Sequence, residues 1–256
     1  LTQRGGGDVE VEALVSISDV SAYYKDYRAT GVNGEFALRR VGDDWVFGET
    51  PVTAASVDVG VVAREISAFV LWTGAEVQVR GASAAVLGGG VTAAPFSYYP
   101  ATGYAAVEVR LVELSLAEVL ALEGDDIAGT GRLNGVIPLR VLDDAVTVEA
   151  GRVKAAPPGG SIRISEGLLL STTQPGLDFA LRALQNFDYS LLEADVDYAE
   201  NGDLQLAVRL QGRNPDIEAG RPIHYNLNVS ENIPLLLRSL RLQDQVTRQV
   251  ERRVKN

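Results

Sequence analysis

Apolar and polar residues alternate with a period of two through most of this chain, the pattern of strands that bury one side. The alternation begins with Val9, Val11, Ala13, Val15 and Ile17 set against Asp8, Glu10, Glu12, Ser16 and Ser18. Further short strands are predicted at 35–41, 44–48, 54–62, 66–73 and 75–80, punctuated by glycine and aspartate. A longer strand at 104–112 places Val107, Val109 and Leu111 on one face. Just before it, the glycine cluster at 88–96 predicts a sharp bend or a close backbone approach.

Two hairpins have registers that can be argued from the pattern. With Asp143 and Asp144 as a two-residue loop, Val141 faces Val146, Leu139 faces Val148 and Ile137 faces Ala150, all on one side. Pro138 then implies an edge position, because a central strand would lose a ladder hydrogen bond there. In the second hairpin, a two-residue loop at Asn201 and Gly202 would oppose Tyr198 to Gln205 and turn the apolar faces apart. A three-residue loop of Glu200, Asn201 and Gly202, with Gly202 left-handed, pairs Tyr198 with Leu204 and Val196 with Leu206. That register also sets Glu193 against Arg209 as a cross-strand ion pair and carries the apolar face on through Val208 and Leu210.

The alternation is interrupted in a few places. Ser115 and Glu118 have capping-box spacing, so a short helix carrying Leu116, Val119 and Leu120 is predicted, ending near Gly124. A strand at 161–165 and an apolar run at 168–170 precede a second short helix at about 178–186, with Phe179, Ala183 and Leu184 inward. The proline- and glycine-rich stretch at 154–161 is the candidate subdomain break, with a surface loop as the plainer reading. Residues 1–7 form a flexible lead-in, and 8–256 read as a single elongated domain.

The chain ends differently from the rest. Ile223, Tyr225, Leu227 and Val229 share one face of a strand, with His224, Asn226 and Asn228 on the other. An amphipathic helix at 233–254 is expected next, with Ser230 and Asn232 available as caps and Pro234 in its first turn. Leu235, Leu242, Val246, Val250 and Val254 form its apolar side, and arginines dominate the other. Docking of this helix as a cap over a sheet end is the default expectation; attachment to anionic headgroups is the alternative.

Composition narrows the function. The 256 residues are 46% hydrophobic with mean hydropathy +0.05, yet no apolar run reaches the roughly 20 residues that span a bilayer. A net charge of -11 argues against nucleic-acid binding, which needs a clustered basic face. With no cysteine, disulfides, thiolate catalysis and zinc-thiolate sites are excluded together. There is also no methionine, so the chain is expected to be a processed or excised piece with any signal or anchor upstream of Leu1.

Candidate chemistry is sparse. His224, the single histidine, sits on the polar side of a strand and no nucleophile elbow precedes it, so it reads as a hydrogen-bonding residue. The aspartate pairs 43/44, 125/126 and 143/144 lie between apolar segments, where turn chemistry accounts for them. The stretch 195–203 begins like a calcium loop but has Glu200 where glycine is required. At 129–135 the glycines faintly match a dinucleotide fingerprint, but a strand follows instead of a helix. No catalytic residue, metal ligand or cofactor is assigned, and the chain is read as a non-enzyme.

Several motifs resemble a known family. QGRNPDIEAGRPIHYNLNVSENIPLLLRSLRLQDQVTRQVERRV, LGGGVTAAPF, GTGRLNGVIPLRV and FDYSLLEADVDYAENGDLQLAVRLQG are similar to the C-terminal region of YdbH-type proteins, an AsmA-like branch found in Gram-negative bacteria. The resemblance covers most of the chain from about Gly31 and is strongest at the end. It implies a mainly β, elongated, curved and mostly antiparallel sheet groove with two short helices and a C-terminal amphipathic helix. It also implies a periplasmic protein anchored in the inner membrane by an N-terminal segment absent here, moving phospholipid between the two membranes. The partner it suggests is a small outer-membrane lipoprotein of the YnbE type, joined by strand addition near the C-terminal end. On this reading Val107, Val109, Leu111, Val196, Tyr198, Leu204, Leu206, Val208, Ile223, Tyr225 and Leu227 line the lipid path. The alternative is an envelope assembly or scaffold β-domain that binds a partner by its edge strand and carries no lipid.

Overall fold

In the computed structural model, which describes residues 12–24, 27–42, 44–143, 145–166, 182–217 and 220–233, the alternating segments join into one 15-stranded antiparallel sheet. Its strands are β1 (Glu12–Tyr24), β2 (Tyr27–Val41), β3 (Asp44–Asp58), β4 (Val62–Trp72), β5 (Val77–Val86), β6 (Gly89–Ala93), β7 (Phe96–Tyr99) and β8 (Tyr104–Ser115). After helix α1 (Leu116–Leu120) come β9 (Ile127–Thr130), β10 (Arg132–Leu142), β11 (Ala145–Ala155), β12 (Gly160–Ile164), β13 (Phe187–Tyr198), β14 (Asp203–Arg213) and β15 (Pro222–Asn232).

The order is a meander with three jogs. β6 and β7 both pair with β5 and β8, β9 leads into β10, and β12 continues β11 along the same edge of β13. Chain connections therefore alternate between two rims. One rim carries α1, the helical turn at 182–184 and the loop at 214–217; the other carries the hairpin tips at 42, 73–76, 100–103, 143 and 199–202. These are called the helical rim and the hairpin rim below.

Among the described residues, the packed core lies at the helical rim. Leu114, Leu116, Leu133, Ile164, Leu184, Phe187, Tyr189, Leu192 and Leu210 cluster there, with Phe187 fully buried. Ser115 caps α1 by accepting from the Glu118 N–H at 3.4 Å, as its spacing predicts, and Leu116 is buried beneath. Asn214 is buried and satisfied, its side chain donating to the carbonyls of Arg182 and Ala183.

The glycine motifs acquire a structural meaning here. Tyr189 sends its hydroxyl to the Thr130 carbonyl at 2.8 Å, and a Cβ at Gly131 or Gly160 would collide with that hydroxyl. Gly131 and Gly160, one from each glycine-containing stretch, thus make room for the end of one tyrosine side chain. Gly89 is likewise pressed against the Glu113 carbonyl, the close approach expected of the 88–96 cluster.

Several expectations need correction. The strands predicted at 44–48 and 54–62 are one strand, β3, running through Pro51. Pro138 lies in β10, an interior strand between β8 and β11. It escapes the ladder penalty because the β10–β11 register shifts between Val136 and Leu139. The shift arises at Ala150, whose φ is 56, so Ile137 does not face Ala150; Gly151 takes the inward place instead. Ser230 pairs with Gln205 inside β15, so no helix starts there; Ile233 is the first helical residue, which puts Asn232 at the expected cap position while its amide nitrogen donates to Asp203 at 2.8 Å. The lead-in at 1–7, the apolar run at 168–170, Phe179 and the helix expected at 233–254 beyond Ile233 lie outside the described residues. Of the second short helix, 182–184 is described as helical, with Ala183 and Leu184 buried as expected.

Candidate functional site: the apolar face of the sheet

All eleven residues expected on the lipid path stand on one face of the sheet, and each of them is half-buried. Their sequence neighbours Glu108, Arg110, Asp195, Asp197, Gln205, Arg209, His224 and Asn226 are exposed on the other face. The cause is the strand period of two combined with in-register pairing. Tyr198 opposes Leu204, Val196 opposes Leu206, Leu206 opposes Val229, Val208 opposes Leu227 and Leu210 opposes Tyr225.

Registers extend this face far beyond those residues. One row runs without interruption from Leu227 through Val208, Ala194, Val153, Gly135, Leu111 and Val91 to Ala84. These are eight strands, and seven inter-strand steps at about 4.8 Å make a strip about 34 Å long. That is more than the roughly 30 Å hydrocarbon thickness of a bilayer. The row contains only aliphatic side chains and glycine. Among the described residues, the strands that carry it pack on their sheet neighbours, and Leu111, Val153, Val208 and Leu227 also pack against the core at the helical rim.

Two titratable groups are shifted from their ordinary values by their surroundings. Tyr198, near the hairpin rim on β13, is raised above the ordinary tyrosine value first by burial and then by Tyr27, at the helical-rim tip of β1 and β2. Glu123, after α1, is raised by burial and then by Glu231 at the far end of β15. Half-burial of the face at Leu111, Val153, Val208, Ile223, Tyr225 and Leu227 accompanies their packing against the helical-rim core.

The opposite face is polar and laced with exposed ion pairs. Arg209 contacts Glu193 at 3.2 Å and Asp195 at 4.0 Å, and Arg152 reaches Asp195 at 4.0 Å. These exposed pairs contribute at most about 1 kcal/mol each and mark this side as the solvent side. His224 lies here beside Gln211, with no catalytic partner among its paired neighbours. Among the described residues there is no cluster of histidine and carboxylates able to hold a metal.

Two polar atoms break the apolar face. The Trp72 indole nitrogen and the Tyr225 hydroxyl are sealed from solvent and have no hydrogen-bond partner. Burial raises the Tyr225 hydroxyl above its ordinary value, and its ring tilts against Phe187 at 6.1 Å. Sequence reasoning found Tyr225 but missed Trp72, Val91, Val153 and Ala194. Their signal was there, as apolar residues in register with the others, but reading it required the order of the strands.

Fold and face together define a class: a single-layer, elongated antiparallel β-groove with one apolar side. A protein-family profile described as YdbH-like, intermembrane phospholipid transport protein YdbH, matches residues 3–255, and the chain belongs to that family. No curated protein and no solved structure showed a significant match. The family is one of transporters, not an enzyme class, and its work between two membranes places it in the periplasm.

Proposed function

We propose that residues 8–256 form one elongated domain whose apolar face holds phospholipid acyl chains and lets them slide from strand to strand. The observation that carries this is the uninterrupted row from Leu227 to Ala84, half-buried and free of charge. Each CH2 taken from water onto such a surface gains about 0.8 kcal/mol, so chains are held without a specific polar site. A uniform row also offers equal affinity at each step, which favours movement along it. No residue acts as a catalyst in this reading. Val107, Val109, Leu111, Val196, Tyr198, Leu204, Leu206, Val208, Ile223, Tyr225 and Leu227 serve collectively as the wall.

The same proposal takes the chain as the C-terminal part of a protein anchored in the inner membrane by an N-terminal segment. It gives β15 a partner: a small outer-membrane lipoprotein of the YnbE type, added as a strand. β15 pairs only with β14 among the described strands, leaving its other edge available for a ladder.

The test is extraction of the purified chain, with bound phosphorus and acyl chains quantified by mass spectrometry. Co-purifying phospholipid is expected. Persistent absence of acyl chains from folded protein, also after incubation with vesicles, would leave the scaffold reading, for which the edge of β15 that is unpaired among the described strands is the supporting observation.

A further inference from the structure

The groove has a second register row, and its chemistry differs from the first. Close to the hairpin rim, Phe47 opposes Trp72, Trp72 opposes Val77, Val77 opposes Tyr98 and Tyr98 opposes Ala105. The mid-strand row contains no aromatic residue, whereas this one carries three within five strands. Aromatic side chains with a polar tip prefer the boundary between hydrocarbon and water, where ring and polar atom are satisfied together. From mid-strand to rim, the face therefore passes from aliphatic to aromatic, as a bilayer leaflet does from chain region to interface.

Trp72 adds a specific demand. Its N–H is cut off from solvent without an acceptor, in the last residue of β4 beside the turn at 73–76. The neighbouring Phe47 ring, T-shaped at 6.0 Å, offers at most a weak contact with its π face. A buried donor left unpaired costs about 1–3 kcal/mol, and an incoming carbonyl oxygen removes that cost. Phospholipids carry such oxygens at one level only, in the glycerol esters between chains and headgroup.

We propose that the hairpin rim between β3 and β8 holds the glycerol-ester zone of bound phospholipid, whose entry turns the Trp72 ring so that its N–H, sealed in the empty groove, donates to an ester carbonyl oxygen. Lipid then travels in one orientation: chains toward the Ala84–Leu227 row, headgroup emerging along the hairpin rim. This rests on the lipid-groove reading above and adds to it an orientation and a contact residue.

The only other tryptophan is Trp45, 40% exposed, so Trp45→Phe leaves Trp72 as the sole tryptophan, excited selectively at the red edge where tyrosine does not absorb. This variant is loaded with phosphatidylcholine brominated either close to the glycerol backbone or close to the chain ends. Bound phosphorus is measured on each sample. At equal loading, the shallow bromines are expected to quench Trp72 several-fold more than the deep ones. Equal or stronger quenching by the deep bromines, or no quenching with lipid demonstrably bound, overturns the inference while leaving the groove intact. Absence of bound phosphorus in both samples overturns the groove reading and this inference with it.

Discussion

Leu206 stands directly opposite Val196 across the β13–β14 ladder, and on its other side opposite Val229, on a face that the described elements leave uncovered. A side chain in the middle of a row that is only half-buried separates folding from cargo. Leu206→Glu is expected to keep the β-sheet circular dichroism signal, because the carboxylate reaches water through the groove, and to lose most bound phospholipid. A sealed core would instead unfold, since an unpaired buried charge costs several kcal/mol.

Ala194 is a small residue in the longest row, between Val153 and Val208. Ala194→Trp is expected to narrow the path without disturbing the ladder. Transfer of fluorescent phospholipid between donor and acceptor vesicles should fall at least several-fold, while the thermal midpoint changes little.

Tyr225 carries a hydroxyl without a partner against Phe187. Tyr225→Phe removes that desolvated group and nothing else, so the apo protein should gain up to about 1 kcal/mol in a urea titration. A loss of comparable size would show that the hydroxyl has an acceptor.

Glu123 holds its proton more tightly in the folded protein than its ordinary value of 4.5, through burial and then Glu231. Over the pH range just above 4.5 the folded state binds more protons than the unfolded one, so stability contributed by this group falls as pH rises through that window. Glu123→Gln should therefore be more stable than the parent at neutral pH. The advantage should disappear below the ordinary value, where both states carry the proton.

Arg209 and Glu193 illustrate the other face. Their 3.2 Å contact is exposed, so Arg209→Ala should cost less than about 1 kcal/mol and leave lipid content unchanged. Bound phosphorus in this variant serves as the control for Leu206→Glu.

Much of this was legible in the chain. The β13–β14 register, from Tyr198 against Leu204 to Glu193 against Arg209, followed from the alternation and from Gly202, whose φ of 89 completes the loop. Ser115 and Glu118 located α1. Pro138 misled because its cost depends on what lies across the strand. A bulge at Ala150, itself at positive φ, supplied the exception that no rule of composition marks. Trp72 went unnoticed because its significance lies in its neighbours Phe47 and Val77, which belong to other strands.

By itself the sequence determined which residues share a side of each strand, because side-chain direction in an extended chain alternates at every residue. It determined the hairpins between neighbours in the same way, through turn chemistry. Tertiary structure decided what those sides add up to. Only pairing along the whole meander joins Leu227 to Ala84, and only packing between elements half-buries the face they form. Both depend on contacts between residues distant in the chain, and these leave no local trace in the order of the amino acids.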